Sequence, residues 1–156
     1  MTTLVCGKEV ELPDPGSLQA VFDYVVAHMK KQGTRAGVYC GGFPSEFSCR
    51  YRGDEGTSCA VGCLIPDDKY DAGSMEGQPC DESDRDLFSS AICGGTTHLS
   101  EEEANTLYGM LSELQDVHDN LVSDASRNDF GSGPIADQLA YIAAENDLRY
   151  PNQEAS

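Results

Sequence analysis

Residues 100–122 read SEEEANTLYGMLSELQDVHDNLV, and this stretch is the strongest indicator of the fold. Ser100 and Glu103 form a capping-box pattern, and Leu99 and Ala104 flank it as a hydrophobic staple. Behind this start, apolar residues recur every three or four positions, as on one buried face of an α-helix. These residues are Leu107, Met110, Leu111, Leu114, Val117, Leu121 and Val122. The sequence therefore predicts a helix over residues 100–122.

Two other segments show the same helical period. Residues 17–32 follow the N-cap residue Ser17 and precede Gly33, which suits the position just after a helix. Residues 134–146 begin with Pro134, which is favoured in the first turn. We expect the three helices to share one core. The side chains expected to point inward are Val21, Phe22, Val25, Leu107, Leu111, Leu114, Leu139 and Ile142.

The remaining segments predict a small β element that is rich in cysteine. Residues 37–40 favour a strand, and residues 49–52 are expected to pair with residues 57–59. Residues 59–65 are apolar and fit either a buried helical turn or a strand, and residues 1–16 fit a strand or hairpin. The expected fold class is α+β, with three amphipathic helices packed with this β element. We expect a single globular domain over residues 1–150 and a frayed tail over residues 151–156.

Charge is the most unusual feature of the composition. The 156 residues carry 27 acidic and 10 basic side chains, a formal net charge of −17. Residues 1–64 hold seven acids and six bases, whereas residues 65–156 hold the other twenty acids and only four bases. This balance argues against direct binding to nucleic acid or to an anionic membrane surface, because both need lysine and arginine. It favours a partner protein with a basic surface, although an acidic surface can also serve solubility alone.

Targeting signals are not evident in the sequence. No apolar run approaches the length that spans a bilayer, and the first residues lack a basic region followed by an apolar one. We therefore expect a cytoplasmic protein. In a reducing compartment the seven cysteines should be thiols or metal ligands rather than disulfides.

The spacing of Cys49, Cys59 and Cys63 leaves two interpretations open. Cys40 is nearby, and either His98 or His118 could complete a tetrahedral zinc site with these cysteines. Their apolar neighbours instead favour buried thiols, since cysteine often packs as a small hydrophobic residue. We expect seven free thiols, a buried Cys59 and no cofactor. The alternative is a small metal- or ligand-binding protein, or an enzyme, that uses Cys49, Cys59 and His118, with Cys63 as a further metal ligand.

No catalytic or nucleotide-binding motif can be identified. His118 lies on the apolar stripe of its helix, as a hydrogen-bonded core histidine would, and Asp119 is expected to point to another face. Phosphate-binding glycine motifs are absent, and the spacing of Asp67, Asp68 and Asp71 does not fit a calcium loop. We therefore expect a non-enzymatic protein.

A family resemblance rests on the segment from Cys49 to Gly53, CRYRG, and the segment from Cys59 to Asp67, CAVGCLIPD. Together with LQDVHD at residues 114–119, they resemble a family of small, uncharacterised proteins of tailed bacteriophages and prophages. The resemblance covers roughly residues 17–122 and also includes Tyr70 and the Met75-Glu76 pair. Its members often have alanine in place of Cys63, which argues against a zinc site through that residue. The resemblance implies no activity, but it implies a phage-encoded accessory protein in the cytoplasm of a host bacterial cell.

The resemblance and the acidic charge together suggest one functional hypothesis. The protein would bind a host bacterial protein through a carboxylate-rich face and would modulate or inhibit it. In a sharper version the face mimics DNA, whose duplex carries a charge about every 1.7 Å. The carboxylates expected to contribute are Asp67, Asp68, Asp71, Glu76, Glu101, Glu102, Glu103, Glu113 and Asp116.

Overall fold

The structure is a computed structural model, and it describes residues 2–33, 37–40, 46–49, 51–52, 57–75, 88–121 and 125–150. Its elements, in chain order, are strands β1 (Thr3–Val5) and β2 (Lys8–Val10), helix α1 (Leu18–Gln32), strands β3 (Gly37–Cys40) and β4 (Glu46–Cys49), and helices α2 (Ala72–Met75), α3 (Glu101–Asp119) and α4 (Gly133–Glu145). The predicted α+β class is confirmed. The predicted tail, residues 151–156, lies outside the described residues.

The two longest helices begin as the sequence predicts. The hydroxyl of Ser17 accepts a hydrogen bond from the backbone of Ala20 at the start of α1, and Gly33 follows the helix with a left-handed φ of 78°. At the start of α3, Ser100 and Glu103 each bond the other's backbone N–H through their side chains. Local hydrogen bonds therefore set these boundaries.

The end of α3 differs from the prediction, which placed it at residue 122. The helix ends at Asp119, and Asn120 closes it by donating a side-chain hydrogen bond to the carbonyl of Asp116 at 2.9 Å. Leu121 lies beyond the helix but remains 2% exposed. The apolar pattern therefore extends beyond the end of the helix, because Leu121 packs into the core although it is no longer helical.

The core is built from the predicted faces of the three long helices. Each of the eight expected inward side chains is at most 1% exposed, so this prediction is confirmed. Further apolar residues from the connecting segments complete the core, the largest being Leu64, Ile65, Phe88, Ile92 and Leu121. Burial of these side chains is the main source of stability, since each large apolar side chain contributes roughly 1.5–3 kcal/mol.

The β structure of the described residues consists of two antiparallel hairpins. Strands β1 and β2 are joined by Cys6 and Gly7, whose φ angles of 52° and 77° are those of the turn that matches hairpin twist. Strands β3 and β4 form the second hairpin, in which Gly37 lies opposite Cys49. The expected pairing of residues 49–52 with residues 57–59 is confirmed in part, by an antiparallel bridge between Arg52 and Ser58, while residue 50 lies outside the described residues.

The residues of the two motif segments, CRYRG and CAVGCLIPD, hold one another in place. A Cβ atom on Gly62 would lie 2.0 Å from the carbonyl oxygen of Tyr51, so only glycine allows the two backbones to approach this closely. The N–H of Cys59 donates to that same carbonyl at 3.1 Å. On the later helix, Gln115 accepts a hydrogen bond from the N–H of Val61 at 3.3 Å. These motif residues therefore have a structural role.

Arg52 and Asp67 tie the motif to the first hairpin. The guanidinium of Arg52 lies 2.6 Å from the Asp67 carboxylate and also donates to the carbonyl of Ile65. The same carboxylate accepts hydrogen bonds from the N–H groups of Cys6 at 2.7 Å and Gly7 at 2.9 Å. Asp67 thus anchors a turn sixty residues earlier in the chain.

Candidate functional site

The carboxylates that were expected to form one binding face have different environments. Asp67 is bound internally by Arg52 and the first hairpin. Glu103 closes the capping box of α3, and Asp71 accepts a hydrogen bond from the backbone of Gly73. Glu76 lies outside the described residues. The remaining carboxylates on these segments, Asp68, Glu101 and Glu102, are exposed to solvent.

The pKa of Asp67 reflects its internal role. Partial desolvation acts to raise this pKa, but the hydrogen bonds from Gly7, Arg52 and Cys6 outweigh it and hold the pKa below its ordinary value. The carboxylate is therefore charged and fully engaged at neutral pH. Its contribution to an external binding face is small.

Glu113 and Asp116 have a different setting, at the packing of α3 against α4. Their neighbour on α4 is Glu145, whose side chain lies close enough to that of Glu113 to raise the pKa of Glu113. Tyr141, one turn before Glu145, is 62% exposed and hydrogen-bonds to it. We call these four residues the α3–α4 acidic face.

The electrostatics of the α3–α4 acidic face are unfavourable to folding. The pKa of Glu113 is raised above its ordinary value, first by desolvation of the carboxylate. The nearby carboxylates of Glu145 and Asp116 raise it further, because like charges held this close repel one another. Asp116 and Glu145 also lie in the last turns of their helices, where the helix dipole disfavours negative charge. Within the described part of the chain, no lysine or arginine forms an ion pair with these three carboxylates.

The cysteine and histidine alternative gains little from the structure. Cys59 is buried as predicted, Cys63 is 2% exposed, and their sulfur atoms make hydrogen bonds to the backbones of Gly62 and Ala60. The side chain of Cys49 lies outside the described residues. Over the residues that are described, no group of three or more His, Cys, Asp or Glu side chains could hold a metal ion.

His118 corrects one expectation. Its Nδ1 lies 2.9 Å from the carboxylate of Asp119, which was predicted to point elsewhere. Gln115 explains the difference, because its amide binds Asp119 at 2.9 Å and draws the carboxylate back along the helix. Asp119 is partly exposed, but His118 is fully buried, so a substrate cannot reach the imidazole without rearrangement of the core. The pair therefore stabilises the end of α3.

A second histidine contact also resembles a catalytic pair. Nε2 of His28 lies 3.2 Å from the hydroxyl of Ser58 and 2.8 Å from the Ser58 carbonyl oxygen. Since a carbonyl only accepts, Nε2 must carry the proton, and it cannot take one from the hydroxyl. Burial lowers the pKa of His28 and outweighs the hydrogen bond to the Ser58 carbonyl, which acts to raise it, so the ring is neutral near pH 7. The geometry does not support nucleophilic catalysis by Ser58.

A cleft of about 480 Å³ between the first hairpin and α1 is the feature that sequence reasoning missed. Val5, Ser58 and Cys63 are buried at its floor, while Lys8 and Lys31 are exposed at its rim. We call it the hairpin–α1 cleft. The two lysines were weak sequence signals for this cleft. Lys8 lies in a strand of only three residues, and Lys31 was already explained by its favourable position at the negative end of the α1 dipole.

Comparison with known proteins identifies no relative: no family model, curated protein or solved structure matches the chain. None of the helices in the described ranges is long and apolar enough to cross a membrane.

Proposed function

We propose that the protein is a non-enzymatic binding protein that engages a basic partner protein through the α3–α4 acidic face. The observation that supports this proposal is the pairing of Glu113 with Glu145, which keeps like charges together where no cation of the described residues offsets them by an ion pair. Such an arrangement costs folding stability. Costs of this kind are typical of functional surfaces, where charge is retained for a partner.

Tyr141 adds the second component of a recognition surface. It is one of two large apolar or aromatic side chains that are more than half exposed among the described residues. Tyrosine is enriched in protein–protein interfaces, because its ring buries a large area while its hydroxyl stays hydrogen-bonded. A lysine or arginine of the partner would relieve the repulsion between Glu113 and Glu145 and would lie against the ring of Tyr141.

The partner in this proposal is a host bacterial protein, and the protein is a phage-encoded modulator or inhibitor of it in the host cytoplasm. The resemblance of the motif segments to phage and prophage proteins is the support for this finer statement. Mimicry of DNA is its sharpest form, in which the α3–α4 acidic face and the exposed Glu101 and Glu102 occupy a DNA-binding groove.

The test is capture of partners from bacterial lysate, followed by binding kinetics with each purified partner. Two variants with the same change in net charge are compared. Asp116→Lys with Glu145→Lys reverses the α3–α4 acidic face, and Glu9→Lys with Glu11→Lys reverses exposed carboxylates elsewhere. Association should slow sharply for the first pair of substitutions and little for the second, because complementary charge acts mainly on the association rate.

Salt provides an independent measure of the same mechanism. Association of the parent protein should weaken between roughly 50 and 300 mM salt, as the Debye length passes through about 10 Å. A captured partner whose binding is independent of salt, or equal for both reversed variants, would contradict the proposal. DNA competing for the same partner site would distinguish mimicry from binding elsewhere on it.

A further inference from the structure

The hairpin–α1 cleft has the size and lining of a small-molecule site. Its volume of about 480 Å³ lies within the roughly 300–1,000 Å³ that is usual for such sites. Val5 and Cys63 line a buried floor, and Val10, Tyr24 and the exposed Ala27 continue the apolar lining toward the rim. An apolar body can therefore be buried here.

The charge of the cleft is opposite to that of the protein. Lys8 and Lys31 lie at its rim, and none of the described residues that line it carries a carboxylate. In a chain with 27 acids and 10 bases this composition is a local exception. Neither lysine forms an ion pair within the described ranges, so both ammonium groups remain available to an anion.

Both walls of the cleft are held in place before any ligand binds. The hairpin wall is fixed by Asp67, which accepts hydrogen bonds from the N–H groups of Cys6 and Gly7. The opposite wall is fixed where His28 and Gln32 of α1 bind the backbone of Ser58. A preformed site loses little conformational entropy on binding, which favours affinity for small ligands.

We propose that the hairpin–α1 cleft binds a medium-chain carboxylate, with its apolar chain on the floor and its carboxylate between Lys8 and Lys31. His28 also lines the cleft, and because its ring is neutral it does not compete with the two lysines for the ligand's carboxylate. An organic cation is disfavoured by the two lysines, and a fully apolar ligand would gain nothing from the two ammonium groups, which would stay hydrated. The site is independent of the α3–α4 acidic face.

Octanoate is the probe, with octanamide as its uncharged counterpart. Isothermal titration calorimetry should show saturable binding of octanoate by the intact protein at one site. The double variant Lys8→Glu, Lys31→Glu should weaken octanoate binding by about tenfold or more, because the rim then repels the ligand. Octanamide should bind the parent and this variant equally within about twofold, since it carries no charge.

The matched control is Lys30→Glu with Lys69→Glu, which changes net charge equally but at residues that do not line the cleft. Octanoate affinity should change by less than about twofold in this control, because exposed charges away from the site are screened. If the reversed cleft variant does not fold, Lys8→Gln with Lys31→Gln replaces it. The octanoate affinity of that variant should fall by about two- to fivefold for each lysine replaced, as is usual for ion pairs at an exposed site.

Chemical-shift changes of the backbone amides, measured by NMR, locate the octanoate-binding site. Octanoate should shift the amides of Lys8, Tyr24 and Lys31 and leave those of α4 unchanged. No saturable octanoate binding, binding unaffected by loss of the two lysines, or shifts confined to other surfaces would each overturn the proposal. Any of these results would leave the proposed partner-protein function untouched, because that function is measured at Glu113, Asp116 and Glu145.

Discussion

The side chain of Gln32 hydrogen-bonds both backbone polar groups of Ser58. Its Nε2 donates to the Ser58 carbonyl at 3.0 Å, and its Oε1 accepts from the Ser58 N–H at 2.9 Å. An amide side chain here takes the place that a neighbouring strand would take in a sheet. His28, one turn earlier on α1, donates to the same carbonyl at 2.8 Å. The end of α1 thus holds the start of the CAVGCLIPD segment.

Gln32→Ala should lower the free energy of unfolding by about 1–3 kcal/mol. Ser58 is only 3% exposed, and its N–H would lose the acceptor that Gln32 provides. The measurement is urea denaturation followed by circular dichroism. Gln138→Ala on α4 is the matched control, since the Gln138 side chain makes no hydrogen bond in the described part of the chain. Equal losses in the two variants would show that the Gln32 contact contributes nothing of its own.

Asp67→Asn should destabilise the protein by about 1–2 kcal/mol near pH 7, because charge-assisted hydrogen bonds are lost at a partly exposed site. The folded-state pKa of Asp67 is lowered from its ordinary 3.8. Its stabilising effect is therefore present above that value and disappears as pH falls through the folded-state pKa. The difference from the parent protein should shrink accordingly in urea denaturation measured at several pH values. Asp68→Asn, in the same turn and exposed, should show little effect at any pH.

Glu113→Gln should raise stability near pH 7 by about 0.2–0.5 kcal/mol, the usual cost of a like-charge pair on helices. The folded-state pKa of Glu113 is raised above its ordinary 4.5, so its charged form is disfavoured by folding. The loss of stability caused by ionised Glu113 is complete above the raised pKa. It vanishes below 4.5, where Glu113 is protonated in both the folded and the unfolded chain. The gain should therefore be lost on acidification. Glu11→Gln is the control, and a gain that persists at low pH would point to packing instead of charge.

Alkylation of the native and of the denatured protein should distinguish the buried cysteines from the others. Alkylation after denaturation, read by mass spectrometry, should modify all seven cysteines if no disulfide forms. In the native protein, Cys59 and Cys63 should react far more slowly, because they are buried and because desolvation raises the pKa of Cys63 well above its ordinary value. Rapid native modification of Cys63 would contradict its burial in the core. Elemental analysis for zinc tests the metal alternative in the same sample.

The sequence by itself determined the three long helices and the composition of their buried faces. Their start signals at Ser17 and Ser100 act within one helical turn, and apolar periodicity depends only on 3.6 residues per turn. Because these causes are local, the starts of the helices and the eight inward side chains could be predicted from the sequence alone. Even there, Asn120 ended α3 earlier than periodicity suggested, since a single cap outweighs a continuing pattern.

Only the tertiary structure decided which polar residues serve the fold and which face outward. Asp67 has the sequence context of a solvated acidic turn, yet Cys6, Gly7 and Arg52 all bind its carboxylate. Glu113 and Glu145 are thirty-two positions apart, and nothing local indicates that α3 and α4 bring them together. The hairpin–α1 cleft arises where two walls from distant parts of the chain meet. Contacts of this kind depend on how whole elements pack, and no periodicity in the sequence encodes that arrangement.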